Sequence, residues 1–166
     1  SLENVQIEHY LPQHPQSENY DPALTIDYRN MLAVCSGNKK QAGKFENLTC
    51  DQHRGNESLT VDPRDPVSIE KIKYKTDGTI CSDDAEIEKD LNVTLNLNCP
   101  ASYLKKNRKA ALDAVKQALH DKFPGKKVPK QQLERMLKQF QAKTDGRYAE
   151  FAGVIIWYLK RQIARV

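Results

Sequence analysis

A chain of 166 residues is long enough to bury a core without disulfide staples, and neither its 39% hydrophobic content, on the low side, nor its 29% charged content, slightly high, suggests disorder. No apolar run approaches 18 residues, which excludes a membrane-spanning helix, and four cysteines are too sparse for a disulfide scaffold. The net charge of +4 hides an asymmetry: residues 1–100 carry 10 Lys/Arg against 17 Asp/Glu, and residues 101–166 carry 16 against 5. An acidic first part suits metal binding and a basic second part suits a polyanion, although Lys-rich helix faces are also ordinary solvated surface. No basic-then-apolar leader opens the sequence, so no signal peptide is read and a cytoplasmic protein is expected.

In chain order, residues 5–12 (VQIEHYLP) read as a short strand and 13–24 (QHPQSENYDPAL) as a polar loop with two prolines. DYRNMLAVC (27–35) begins polar and ends in an apolar run that suits a second strand; SGNKKQAGKFEN (36–47) is a Gly- and Lys-rich loop. LTCDQHRGN (48–56) predicts a short helix started by Thr49 or Asp51 and stopped by Gly55. After the Pro-broken connector LTVDPRDP, IEKIKYKTDGTICS (69–82) predicts a hairpin with a two-residue turn at Asp77-Gly78. DDAEIEKDLN predicts a helix with acidic residues at its start, as the helix dipole prefers.

The remainder predicts three helices. Ser102 caps the first, which carries Leu104, Ala111, Leu112, Val115, Leu119 and Phe123 on one face and ends at Gly125. The second runs from about Pro129 to Gln141, with Leu133, Met136, Leu137 and Phe140 as its apolar stripe. The third contains FAGVIIWYL (151–159), apolar on every side, and is expected at the centre of the helical region.

Cys35, Cys50, Cys81 and Cys99, together with Asn-x-Ser/Thr triplets at Asn47, Asn56 and Asn92, also fit a secreted glycoprotein with two disulfides. Ten asparagines produce one or two such triplets by chance, so three is a weak signal.

Glu8-His9, Asn30 and His53 fall on a strand, the loop before a second strand, and a short helix. This order of His, Asn and His resembles the HNH endonucleases, whose site is a ββα-metal fold. EHYLP is similar to their Glu/Asp-His-x-x-Pro element, DYRNMLAVC to their Asn element with a Cys five residues after the Asn, and CDQHRGN to their closing Cys-and-His helix. More closely, the chain resembles the HNH proteins of bacterial anti-phage systems of the Septu and retron type. KYKTDGTICSDD, LNLN and FAGVIIWYLK look like later segments of that group, so the resemblance covers nearly the whole chain. It implies an α+β fold: an N-terminal ββα-metal module over residues 1–60, then a β-hairpin and a mainly helical region over 61–166, packed on it as one compact unit.

Phosphodiester hydrolysis needs an activated water, a Lewis acid on the scissile phosphate and help for the leaving oxygen. On the resemblance, Glu8 supplies a hard carboxylate oxygen to a divalent ion, for which Mg²⁺ is suited. His9 takes a proton from water, since imidazoles titrate near neutrality. Asn30 holds the His9 ring or ligates the metal, and His53 is the second protein ligand. Neighbouring strand residues point to opposite faces. Glu8 and His9 can therefore share a site only where the strand ends or bulges, and Pro12, which cannot donate to a ladder, favours an ending. His14 reads as a loop residue near substrate and His120 as a helix-surface residue.

Many HNH proteins hold a structural zinc with two Cys pairs. Cys35 and Cys50 stand where the second pair stands, separated by a 14-residue insertion, and no Cys precedes Glu8. Two thiolates do not complete a tetrahedral site. Three accounts compete: a Cys-x-x-Cys upstream of Ser1 in the full-length protein, which is the expectation here; loss of zinc with the two thiols left adjacent; or completion by Cys81 or Cys99.

The expectation is a metal-dependent HNH endonuclease, an effector of anti-phage defence. Lys44, Arg54, Lys105, Lys106, Arg108 and Lys109 are the expected phosphate contacts. By resemblance the partners are a nucleic acid (DNA or RNA), a partner ATPase of the Septu type that controls the nuclease, and a retron reverse transcriptase with its msDNA; no membrane is involved. The alternative is a non-catalytic nucleic-acid-binding or adaptor subunit on the same scaffold.

Overall fold

The computed structural model describes residues 5–13 and 21–166, so His14 lies outside the described residues. They form an α+β fold with seven α-helices and two small antiparallel sheets. The chain divides into two compact units: residues up to 72 together with 80–104, and residues 73–79 together with 105–166.

In the first unit β1 (Val5–His9) pairs with β2 (Met31–Cys35), in a register that runs from Val5 opposite Cys35 to His9 opposite Met31. β1 stops at His9, short of the expected limit, although the Tyr10 N–H still reaches Asn30 O at 2.8 Å. The polar half of DYRNMLAVC is a 3₁₀ turn, Tyr28–Asn30, capped by the Asp27 carboxylate, which accepts the Arg29 N–H. α1 (Lys39–Ala42) lies within the Gly- and Lys-rich loop. α2 (Asp51–Arg54) is the predicted short helix; Cys50 is its N-cap and Gly55 its C-cap.

The Pro-broken connector is not structureless. It leads into α3 (Pro66–Glu70), where Asp65 caps Val67 and Ser68 and Pro66 supplies the fixed φ that suits a first turn. β3 (Ile72–Tyr74) and β4 (Ile80–Ser82) are the predicted hairpin strands. The Lys75 N–H donates to Thr79 O at 2.8 Å and the Gly78 N–H to Lys75 O at 3.0 Å. The loop is therefore residues 76–78, one longer than expected. Gly78 closes it at φ +84°, where a Cβ would come within 2.3 Å of Lys105 O. α4 (Ala85–Lys89), capped by Asp84, runs on into a π turn, Asp90–Thr94.

The expected boundary near residue 60 does not coincide with this division, and hydrogen bonding supplies the reason. The buried Asp90 carboxylate accepts the N–H groups of Thr60 (2.6 Å) and Val61 (2.8 Å). The Cys50 N–H donates to Leu95 O at 2.8 Å, and the Asn96 side chain donates to Glu46 O and Leu48 O, both at 2.9 Å. Buried polar groups demand such partners, and these tie residues 61–72 and 80–104 to the N-terminal elements. Val61, Ile80, Ile87, Leu91 and Cys99 are the apolar interior.

In the second unit α5 (Leu104–Lys122), α6 (Lys130–Gln141) and α7 (Ala152–Ile163) enclose Leu112, Val115, Leu119, Leu133, Val154, Ile155 and Leu159. The buried Ser102 hydroxyl, two residues before α5, donates to Cys99 O at 3.0 Å. α7 is not buried all round. Ala152, Val154, Ile155 and Leu159 are buried, whereas Ile156, Trp157 and Tyr158 are half-buried. The Trp157 ring is covered by the Tyr74 edge, centroids 6.0 Å apart, and by the Arg161 guanidinium at 5.0 Å. Among the described residues no helix is long and apolar enough to cross a membrane.

Candidate active site

Alternation along β1 puts Gln6 and Glu8 on one face and Val5 and Ile7 on the other; His9 is the last residue of the strand, where alternation no longer dictates the direction of the ring, and its imidazole acts on the Glu8 carboxyl. Val5 and Ile7 are exposed, and α2 covers the Gln6-Glu8 face. The Gln52 side chain donates to Gln6 Oε1 at 3.3 Å. The carboxyl of Glu8 meets that of Asp51 within hydrogen-bonding reach. Partial burial pushes the Glu8 carboxyl above its ordinary value, and the Asp51 charge and hydrogen bond push it further; His9 and Arg54 pull it down.

Arg54 lies three residues after Asp51, on the same side of α2. Its guanidinium is buried, with Nη1 donating to His9 O at 3.0 Å, Nη2 to Tyr10 O and Nε to Glu57 O at 2.7 Å. This corrects the expectation that Arg54 contacts phosphate. Its fork is committed to three carbonyls and clamps the end of β1.

His9 Nε2 lies 2.9 Å from Thr25 O. Only an N–H can face a carbonyl, so Nε2 carries a proton here, and in the neutral ring the lone pair falls on Nδ1. Asn30 does not hold the ring, and its side chain is not directed to a metal. It is buried at 4% exposure, with Oδ1 accepting the Leu11 N–H at 2.8 Å and Nδ2 donating to Leu11 O at 3.0 Å and Leu24 O at 3.1 Å. A buried amide seeks backbone partners. Here those partners join residue 11 to residue 24, beside the Thr25 carbonyl that orients His9. Asn30 is a positioning residue.

His53 is engaged elsewhere. Its ring stacks on Phe45, centroids 4.7 Å apart at 24°, and its Nδ1 lies 3.0 Å from Thr94 O. Two residues from Asp51 is about 200° around a helix, so both cannot face Glu8. α2 brings Asp51, not the expected His53, to Glu8. The sequence reading gave Asp51 only the role of a helix start, although an acid three residues before the arginine on a helix fixed by Gly55 was the available signal for a place in the site. Among the described residues no group of three or more His, Cys, Asp or Glu could hold a metal ion. A hard ion such as Mg²⁺ fits Glu8 and Asp51 nonetheless, because it takes one or two carboxylates and fills its octahedron with water and phosphate oxygens.

No family model, no curated protein and no solved structure matches this chain. The chemistry of the site is therefore argued from its own geometry and from the sequence motifs.

All four cysteines are free. The sulfurs of Cys35 and Cys50 lie 3.4 Å apart. Cys50 takes φ 55°, ψ −140°, a backbone conformation that costs an L-residue on the order of 1–3 kcal/mol. Gly37, at φ +58°, accepts the Thr49 N–H at 3.0 Å, and a Cβ on it would stand 2.2 Å from Thr49 O. The hydrogen bond from Cys50 lowers the Cys35 thiol to about 6, with the Gly37 N–H assisting against burial; the same contact pushes Cys50 up. Cys99 is buried against Glu46 O and Asn47 O. Two thiols without further ligands do not fit a tetrahedral zinc. Iodoacetamide should alkylate Cys35 before the other cysteines, with a rate that rises through about pH 6, read by peptide mass spectrometry. Cys50→Ala should move that midpoint toward roughly 8.5, the value of a free thiol. An unmoved midpoint would refute the thiol–thiolate contact.

The basic residues expected on nucleic acid divide in two. Lys105 pairs with Asp77 at 2.8 Å, Lys109 pairs with Asp113, and Arg108 is buried with Nε donating to Gly78 O at 2.7 Å. These three hold the second unit together, which corrects the expectation for Arg108 in particular. Lys44 and Lys106 are exposed.

Proposed function

We propose that this chain is a metal-dependent endonuclease of the HNH type, hydrolysing nucleic-acid phosphodiester bonds as an effector of anti-phage defence under the control of a partner ATPase. The observation that carries the reading is an oriented imidazole, His9, one residue from the Glu8–Asp51 carboxyl pair. The succession of β1, β2 and α2, with α1 between the last two, supports the reading. His9 Nδ1 takes the proton of the attacking water. Glu8 and Asp51 would hold the divalent ion, which when bound supplies Lewis acidity at the scissile phosphate. Arg54 and Asn30 fix the strand end and the loop that aim the imidazole. The adaptor reading draws on one observation, the engagement of His53 away from Glu8.

The deciding experiment offers duplex DNA and RNA to the protein with the Septu-type ATPase, in Mg²⁺ and in chelator. Cleavage confined to Mg²⁺ supports the nuclease; no cleavage under any condition supports the adaptor. A second measurement isolates the carboxyl pair. Mg²⁺ should raise the Tm of the wild type, and Glu8→Gln or Asp51→Asn should abolish that rise. Because the folded-state value of Glu8 is raised, the metal-free protein gains stability as pH falls toward the unfolded value and carries the full penalty above the folded one. Glu8→Gln should therefore stabilise the metal-free protein near neutrality, by roughly 0.5 kcal/mol or less after solvent screening. A Mg²⁺ response that survives both substitutions would remove these residues from the metal site.

A further inference from the structure

Lys105, Arg108 and Lys109 are committed inside the second unit, yet that unit remains strongly basic. A different set of cations faces a cavity of about 460 Å³ formed by the later turns of α5 and α7, the α5–α6 connector and the last residues. Lys116, Lys126, Lys127 and Arg165 line it, with the rings of Phe123 and Tyr158, and among the described residues no Asp or Glu side chain does. Among the described residues none of these four cations forms an ion pair within 4 Å. Lys116 stands 5.6 Å from the Tyr158 ring centroid and acts on Asp113, which is already paired with Lys109.

Cations near helix C-termini often only balance the dipole. That account does not cover this set. Lys116 lies well before the last turn of α5, which ends at Lys122, and Lys126 and Lys127 lie beyond it in the connector. Counting both helix ends against them, four cations leave the wall positive. The volume is that of a small-molecule site. Aromatic walls beside cations suit a flat base attached to a phosphate, because any base offers a π face.

We propose that this cavity binds a nucleotide through its phosphate, free or as one unit of a nucleic-acid strand, with the base against Tyr158 or Phe123. The site lies within the second unit and does not depend on cleavage by the first.

Binding is measured by calorimetry for ADP and adenosine and by anisotropy for a labelled ten-nucleotide oligothymidylate, all in chelator so that cleavage plays no part. ADP or the oligonucleotide should bind, and adenosine at least tenfold more weakly than ADP. Lys126→Glu with Lys127→Glu should weaken binding tenfold or more, and Arg165→Gln severalfold, with unchanged circular dichroism. Lys105→Ala with Lys109→Ala should leave affinity within twofold. Competition between ADP and oligonucleotide assigns a strand unit; ADP binding without competition assigns a free nucleotide. The proposal is overturned if neither ligand binds, if adenosine equals ADP, if polyglutamate displaces the ligand as well as the oligonucleotide does, or if charge reversal leaves affinity within twofold.

Discussion

His9→Ala should lower the cleavage rate by at least about 10²-fold, the lower end of what a positioned general base supplies, while nucleic-acid affinity stays within about threefold. The argument is geometric. The Thr25 carbonyl fixes the Nε2 proton, so the lone pair on Nδ1 is available whenever the strand end is in place. No other residue within one position of Glu8 or Asp51 carries an imidazole. His9→Gln is a useful companion, because its amide can still donate to Thr25 O yet cannot accept a proton in transit. Equal losses in both variants, at saturating substrate, mark proton transfer; a variant that cleaves like the wild type would leave an adaptor as the surviving description.

The second large effect is on stability. Arg54→Ala removes three donors from the carbonyls of His9, Tyr10 and Glu57 in a place only 5% exposed. Leaving a carbonyl without a partner costs about 1–3 kcal/mol when solvent cannot enter; these three are only part-buried, and rescue by water brings the expected total to roughly 2–4 kcal/mol in urea denaturation. Arg54→Lys should recover only part of this, since an ammonium cannot span three acceptors. Cleavage should fall in step, through the loosened backbone at His9. If Arg54→Ala keeps its stability but loses salt-dependent affinity for nucleic acid, the side chain contacts phosphate after all.

The paired strands and the short helix were legible because period-two alternation, Gly55 and the proline breaks act locally. So was the placing of Glu8 and His9 at a strand end, which followed from Pro12. The identity of the helix residue facing Glu8 was not legible. A four-residue helix spans barely one turn, so no apolar period reveals whether Asp51 or His53 points inward. Arg54 and Arg108 were misassigned for a related reason. An arginine is exposed by default, and the carbonyls that bury these two come from residues at separations up to 45. α3 was hidden by its proline, although Asp65-Pro66 is a helix-starting pair once Pro is read as a first-turn residue.

The excursion between residues 35 and 50 leaves and rejoins the first unit through a narrow neck, closed by the sulfur contact and by the Thr49–Gly37 bond. Loop-closure entropy grows only logarithmically, about 0.6 kcal/mol for each doubling of length. The exposed tip at Gly43 and Lys44, just past the buried Ala42, can thus be lengthened or carry a grafted peptide at little thermodynamic cost, while Asp51, just past the neck, keeps its station opposite Glu8.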